Sequence, residues 1–198
     1  MSKKITNSIT QGVYVLTTID AGCVVDAVSQ VSFGDFPLIS VAVNKQNYTN
    51  PKIKQHQKFA LSILSEMVDP KIIETFGMHS SRDYDKFGQV KTTVVDDIAI
   101  IDEAIGYLYC EVVEQIDADT HTLFIGKMVK SKRFTEDVPM SYLFYQQNKD
   151  KLLASIAPKE QKAFVCTVCG YTYYGEELPE DYTCPLCGVS REFFKPKN

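Results

Sequence analysis

The chain has 198 residues, 44% of them apolar, with 21 Lys and Arg against 25 Asp and Glu and no tryptophan; that composition supports one or two packed domains and excludes a disordered chain. A net charge of −4 without any block of Lys or Arg offers no footprint for nucleic acid. No apolar run approaches the roughly 20 residues of a spanning helix, and the opening MSKKITNSITQG lacks the apolar core of a secretory signal, so a cytoplasmic protein with no membrane partner is expected.

From Gly12 to about Phe134 the pattern is mainly β. GVYVLTTI and FALSIL are dense in alternating apolar residues, and IGYLYCEVVEQI and HTLFIGKMV carry the β-branched and aromatic enrichment of strands. Two short helices interrupt them. TNPKIKQH offers Asn50 as N-cap with Pro51 in the first turn, and VDPKIIETFG offers Asp69, Pro70 and a closing Gly77. Many strands with short inserted helices imply a closed or half-closed barrel, since an open sheet of this length leaves long unpaired edges; a second copy of the chain would cover such an edge equally well. After Phe134 the periodicity weakens. A polar, proline-containing stretch then marks a linker over 157–163, which divides the chain into a larger domain, 1–156, and a terminal one, 164–198.

The terminal segment is too short for a self-sufficient core, and bound metal would supply its folding energy. Cys166 and Cys169 form one Cys-x-x-Cys turn and Cys184 and Cys187 another. In a reducing compartment such pairs read as metal or redox sites. A two-residue gap lets both sulfurs of a turn face one ion, and four thiolates make a tetrahedral cage that takes zinc or iron. Gly170 and Gly188 follow the second cysteine of each pair, where a positive φ turns backbone N–H groups toward sulfur. Cys23 and Cys110 have no close partner in sequence and read as buried thiols.

Around the cage, CTVCGYTY, LPEDYTCPLCG and a trailing EFF resemble rubredoxin, with Tyr171, Tyr173 and Phe194 as the aromatics that flank the metal in that family. The segment between the turns is about half the usual length, as in the shortened modules of rubrerythrins, and Tyr182 stands where rubredoxins usually carry tryptophan. The longer span, NSITQGVYVLTT through VSQVSFGDFPLISVAVNKQNYTN and FGMHSSRDYDKFG to DTHTLFIGKMV, resembles the flavin reductase-like family, whose fold is the FMN-binding split barrel.

The resemblance implies that Ser29, Gln30, Val31, Ser32 and Phe33 lie along the isoalloxazine of FMN, and that Asn44, Lys45, Asn47 and Thr49 meet its phosphate and ribityl chain. It also implies Ser80, Ser81 and Arg82 near the phosphate, Lys86 and Phe87 near the ring, and His121 beside flavin and nicotinamide as the catalytic residue. Phe36-Pro37 replaces the usual two prolines, and CVVDAVS lacks an asparagine that many members carry. Taken together, the two resemblances describe a fusion similar to the NAD(P)H-dependent flavin/rubredoxin oxidoreductases of anaerobic bacteria. Such enzymes take a hydride from NAD(P)H on FMN and pass single electrons through one iron ion (Fe3+/Fe2+) to a protein acceptor such as a flavodiiron oxygen or nitric oxide reductase, and the split barrel forms a homodimer. Two alternatives share the cysteines: a flavin reductase that releases reduced FMN and carries a structural zinc ribbon, and a non-enzymatic flavin-binding module whose ribbon docks a partner.

Overall fold

The computed structural model describes residues 5–154 and 162–197; of the expected linker, residues 157–161 lie outside them. The chain divides into two compact units, 1–150 and 151–198.

In the first unit the strands are β1 (Tyr14–Thr18), β2 (Ala21–Val25), β3 (Val28–Gln30), β4 (Leu38–Asn44), β5 (Lys58–Ile63), β6 (Thr92–Val95), β7 (Ile98–Ile101), β8 (Gly106–Ala118) and β9 (His121–Arg133). Helix α1 (Thr49–His56) joins β4 to β5, α2 (Pro70–Met78) follows β5, and α3 (Tyr142–Ala154) follows β9. Seven strands form one antiparallel sheet in the order β2-β1-β5-β8-β9-β4-β3, and β6 and β7 pair as a separate hairpin. One core cluster takes Cys23 and Val25 from β2, Leu16 from β1, Phe59 and Leu61 from β5, Cys110 from β8, Phe124 from β9 and Ile39, Val41 and Val43 from β4. Strands from opposite ends of the order share that cluster, which a flat sheet does not allow; the sheet is curled into a barrel. Gly126 permits the curl, because a Cβ there would sit 2.7 Å from both Phe59 and Cys110.

The apolar runs therefore read β1, β5, β8 and β9 correctly, and the helix ends less well. Helix α2 begins as expected, with the Asp69 side chain accepting from Lys71 N–H, but it runs past Gly77 to Met78 and stops where His79 becomes extended. Helix α1 starts ahead of Asn50, with Asn47 Oδ1 accepting from Thr49 N–H at 3.0 Å. Asn50 is no cap: it is buried and donates to Val43 O at 2.9 Å, tying the helix to β4. A third helix, α3, stands where the pattern had faded.

The second unit holds a three-stranded sheet in the order β11-β10-β12, from β10 (Ala163–Cys166), β11 (Thr172–Tyr174) and β12 (Phe194–Pro196). From residue 162 onward its buried side chains among the described residues are few: Cys166, Tyr171, Thr172, Leu178, Cys184 and Phe194.

Candidate functional site

Each Cys-x-x-Cys turn is closed by its glycine. Gly170 (φ 76°) donates its N–H to Cys166 O and Gly188 (φ 71°) to Cys184 O, both at 2.8 Å; this left-handed backbone favours glycine. The four Sγ atoms come within 4.8 Å of one another, with Cys169 and Cys184 3.4 Å apart and Cys166 and Cys187 3.7 Å apart. The hydrogen bond from Cys169 draws the Cys184 thiol down to about 5 against desolvation, and the N–H groups of Cys187 and Leu186 assist. Backbone N–H groups of Tyr171 and Val189 likewise face Cys169 and Cys187. Four converging sulfurs with N–H donors around them form a soft, anionic, tetrahedral donor set.

An aromatic cluster flanks the cage. Tyr171 and Tyr182 each meet Phe194 edge-on, Tyr173 lies 4.7 Å from Tyr182, and Tyr182 Oη donates to Tyr171 Oη at 3.3 Å. Tyr182 thus contributes a ring and a hydroxyl contact to the cluster. Outside the cage, Val168 and Leu186, one from each turn, are 42% and 45% exposed.

On the barrel, the β4–β9 pairing sets Asn44 opposite His121, and Lys45 N–H donates to Thr120 O at 3.0 Å. A two-residue turn, Asp119–Thr120, starts β9 at His121, whose Nδ1 lies 2.9 Å from Thr120 Oγ1. Asp26, between β2 and β3, is the neighbour that sequence reasoning missed. Desolvation pushes its carboxyl up from the ordinary range, while its own N–H, that of Ala27 and the nearby His121 hold it down. Only its position in CVVDAVS hinted at a role.

Asn47, Tyr48 and Thr49 lead into α1. Tyr48 makes no side-chain cap, and its ring has Lys52 Nζ at 5.4 Å and Arg82 Cζ at 5.5 Å. Arg82 is exposed and forms no ion pair among the described residues, whereas Lys45 is held by Asp117 at 2.6 Å. Thr49 Oγ1 is buried and makes no hydrogen bond among the described residues; the Cys23 thiol, a weak acceptor, faces it and Asn47. The N-terminal end of α1, a buried hydroxyl facing a thiol, and a guanidinium that no carboxylate pairs among the described residues form an anion-accepting cradle.

The loop after α2 differs from expectation in two ways. Ser81 spends its hydroxyl on Gly22, accepting from the N–H at 3.2 Å and reaching the carbonyl at 3.3 Å, while Ser80 Oγ accepts from Arg82 N–H at 3.2 Å. Lys86 and Phe87 turn inward from this loop. Lys86 is 2% exposed and donates to Gly22 O at 2.8 Å and Phe76 O at 3.1 Å, and Phe87 packs edge-on against Phe76. The reason is the sheet edge: Gly22 lies on β2, the free edge of the sheet, and these side chains satisfy backbone groups that no strand pairs.

At the other sheet edge lies β3. Ser29 pairs with Ser40 and Gln30 with Ile39, Val31 N–H donates to Leu38 O, and Ser32 Oγ accepts from Leu38 N–H at 2.8 Å. Alternate N–H groups of such a strand face outward. Val31, Phe33 and Phe36 are exposed, Phe33 at 91%. A cleft of about 260 Å³ between Ile105, Leu108, Ser131, Arg133 and Pro139 includes none of these residues.

Comparison with known proteins assigns both units. The flavin reductase like domain matches residues 6–153, and the rubrerythrin, rubredoxin-like domain matches residues 164–195. The chain belongs to the flavin reductase-like family, carries a C-terminal rubredoxin-like domain, and is an oxidoreductase of that class. It is 30% identical to high molecular weight rubredoxin of Moorella thermoacetica, over 98% of this chain and 99% of that protein. It is 27% identical to a ferric-chelate reductase (NAD(P)H) of Archaeoglobus fulgidus, over 71% and 86% of the two chains. The NADH:FAD oxidoreductase SgcE6 of Streptomyces globisporus shares the fold of the barrel, with a TM-score of 0.65 and 21% identity over 70% of this chain and 84% of the other. Flavin reductase PheA2 gives a TM-score of 0.60 at 26% identity, over 71% and 93%.

Proposed function

We propose that the protein transfers electrons from NAD(P)H through bound FMN and a four-cysteine iron centre to a protein acceptor, of which a flavodiiron oxygen or nitric oxide reductase is the type. The observation that carries the reading is one chain bearing both an anion-accepting cradle on a flavin reductase barrel and a four-sulfur cage. FMN, when bound, accepts a hydride and gives up electrons one at a time; iron in four thiolates accepts one. The pairing converts two-electron into one-electron chemistry.

The chain's own residues position and shield. The outward N–H groups of β3 suit a ring's polar edge, and the apolar side chains of Val31 and Phe33 suit its face. Arg82, Thr49, Asn47, Asn44 and the start of α1 suit a terminal phosphate. His121, with Asp26 beside it, would orient the nicotinamide or stabilise charge on the reduced ring; hydride transfer itself needs the two rings aligned and no acid/base pair. The exposed Phe33 and Phe36 support a homodimer in which a second copy covers this loop.

For the metal, the all-sulfur donor set suits iron or zinc, and the rubredoxin-like character of residues 164–195 supports iron. The module is acidic, with Glu176, Glu177, Glu180, Asp181 and Glu192 against Arg191, Lys195 and Lys197, and the ferric cage adds negative charge, so its acceptor presents a basic surface. The test is metal and flavin content of the purified protein with its visible spectrum. About one iron and one FMN per chain, with red ferric–thiolate bands over the flavin yellow, is expected; stoichiometric zinc in protein from iron-replete cells rejects the reading.

A further inference from the structure

Lys86 is the cation that the expected chemistry leaves over. Its ammonium is buried against two carbonyl oxygens, Gly22 O and Phe76 O, and no carboxylate pairs with it among the described residues. A buried charge without an ionic partner is rare. Its surroundings lead to the cradle: the Cys23 thiol, which interacts with Lys86, also interacts with Thr49 and Asn47, and Thr49 Oγ1 is buried with no oxygen or nitrogen partner among the described residues. A buried ammonium without a carboxylate and a buried hydroxyl that faces only a weak acceptor meet around one thiol.

We propose that Lys86 is a buried counter-cation for the flavin phosphate, so that phosphate binding is coupled to proton uptake by its amine. The inference rests on the phosphate cradle read above and gives Lys86 a different place from the ring edge. Burial lowers the Lys86 ammonium to about 8 in the empty protein, with Cys23 and the exposed Asp83 opposing that shift. The other elements around it bring little competing charge. Burial raises the Cys23 thiol, α2 presents the Phe76 ring and carbonyl with Glu74 paired to His79, and Asn47 and Thr49 are uncharged. A phosphate is already dianionic above its second ionisation near about 6, so its arrival favours the ammonium and raises that value. The sign follows: FMN binding takes up a proton above pH 8, and affinity falls as pH rises through the value of the empty protein.

The test titrates flavin-free protein with FMN and with riboflavin, which lacks the phosphate, from pH 7 to 9.5, for the parent, Lys86→Met and Arg82→Ala. The FMN dissociation constant of the parent is expected to rise about tenfold between pH 7 and 9 while that of riboflavin stays level. Calorimetry at pH 9 in buffers of different ionisation enthalpy should register proton uptake with FMN only. Lys86→Met should bind FMN about tenfold more weakly at pH 7 and lose the slope. The parent titration needs no variant, so a Lys86→Met protein that does not fold leaves the proposal testable. A level FMN curve in the parent overturns it, as does a slope retained in folded Lys86→Met. If Arg82→Ala weakens FMN binding but the parent shows no slope, the cradle stands and Lys86 is excluded; if neither variant affects FMN affinity, the cradle itself is misplaced and the proposal falls with it.

Discussion

The barrel and the cysteine module are held together by different physics. The barrel buries large side chains from many strands, among them Phe59, Phe76, Phe124, Leu16, Ile53 and Leu61, and its fold needs nothing added. The module buries a handful of side chains, two of which, Cys166 and Cys184, are sulfur ligands. A hydrophobic core tolerates an empty ligand site; a cage of four thiolates does not tolerate the loss of its ion. The sharpest way to expose the contrast is to remove the metal. Chelation under reducing conditions should unfold residues 164–198, since such a metal contributes on the order of 10 kcal/mol to a small domain, while far-UV dichroism and FMN binding of the barrel persist. A module that keeps its amide dispersion by NMR without metal would break the comparison.

Function should divide along the same line. A chain ending near Pro158 is expected to bind FMN and oxidise NAD(P)H with free flavin or a dye at rates close to the parent, yet to lose nearly all reduction of the protein acceptor. Equal acceptor reduction at matched flavin content would remove the module from the electron path. Raising salt sharpens the same division, because the acidic module meets its acceptor through screened charge whereas hydride transfer occurs in a pocket. The acceptor rate should fall with salt while anaerobic flavin reduction changes little.

Smaller effects separate residues within the barrel. His121→Ala is expected to slow flavin reduction by NAD(P)H while leaving FMN bound; stopped-flow rates equal to the parent would make the histidine structural. Arg82→Ala should weaken FMN binding by about tenfold, the size of one charge-assisted hydrogen bond. Lys45→Ala should do less, because Asp117 already holds that ammonium. Fluorescence titration checks both, and a larger loss for Lys45 would reverse the ranking.

The sequence showed the cage completely, because Cys-x-x-Cys spacing and the glycines after it are local chemistry that folding only has to bring together. It also showed strands β1, β5, β8 and β9, whose apolar density survives as burial, on both faces in β1 and β5 and alternating in β9. Other features were long-range. Lysine ordinarily lies at the surface, so nothing in DYDKF announces that Lys86 turns inward to Gly22, 64 positions earlier. Asp26 meets His121 only once β3 folds back on β4. Helix α3 escaped because YLFYQQNKDKLLA scatters its apolar residues around the helix instead of along one stripe, and Asn50 was misread as a cap because Asn47, two positions from the helix start, takes a capping role.

The central claim is that the thiolates hold iron and that this iron takes its electrons from the barrel's flavin. Anaerobic stopped-flow mixing of the intact protein with NAD(P)H, followed in the visible, tests it directly. The flavin absorbance and the ferric–thiolate bands should both bleach, and the iron bands should stay unchanged when the flavin has been removed and return to bleaching when FMN is restored. Iron bands that persist while the flavin is fully reduced, or that bleach equally well without flavin, would contradict it.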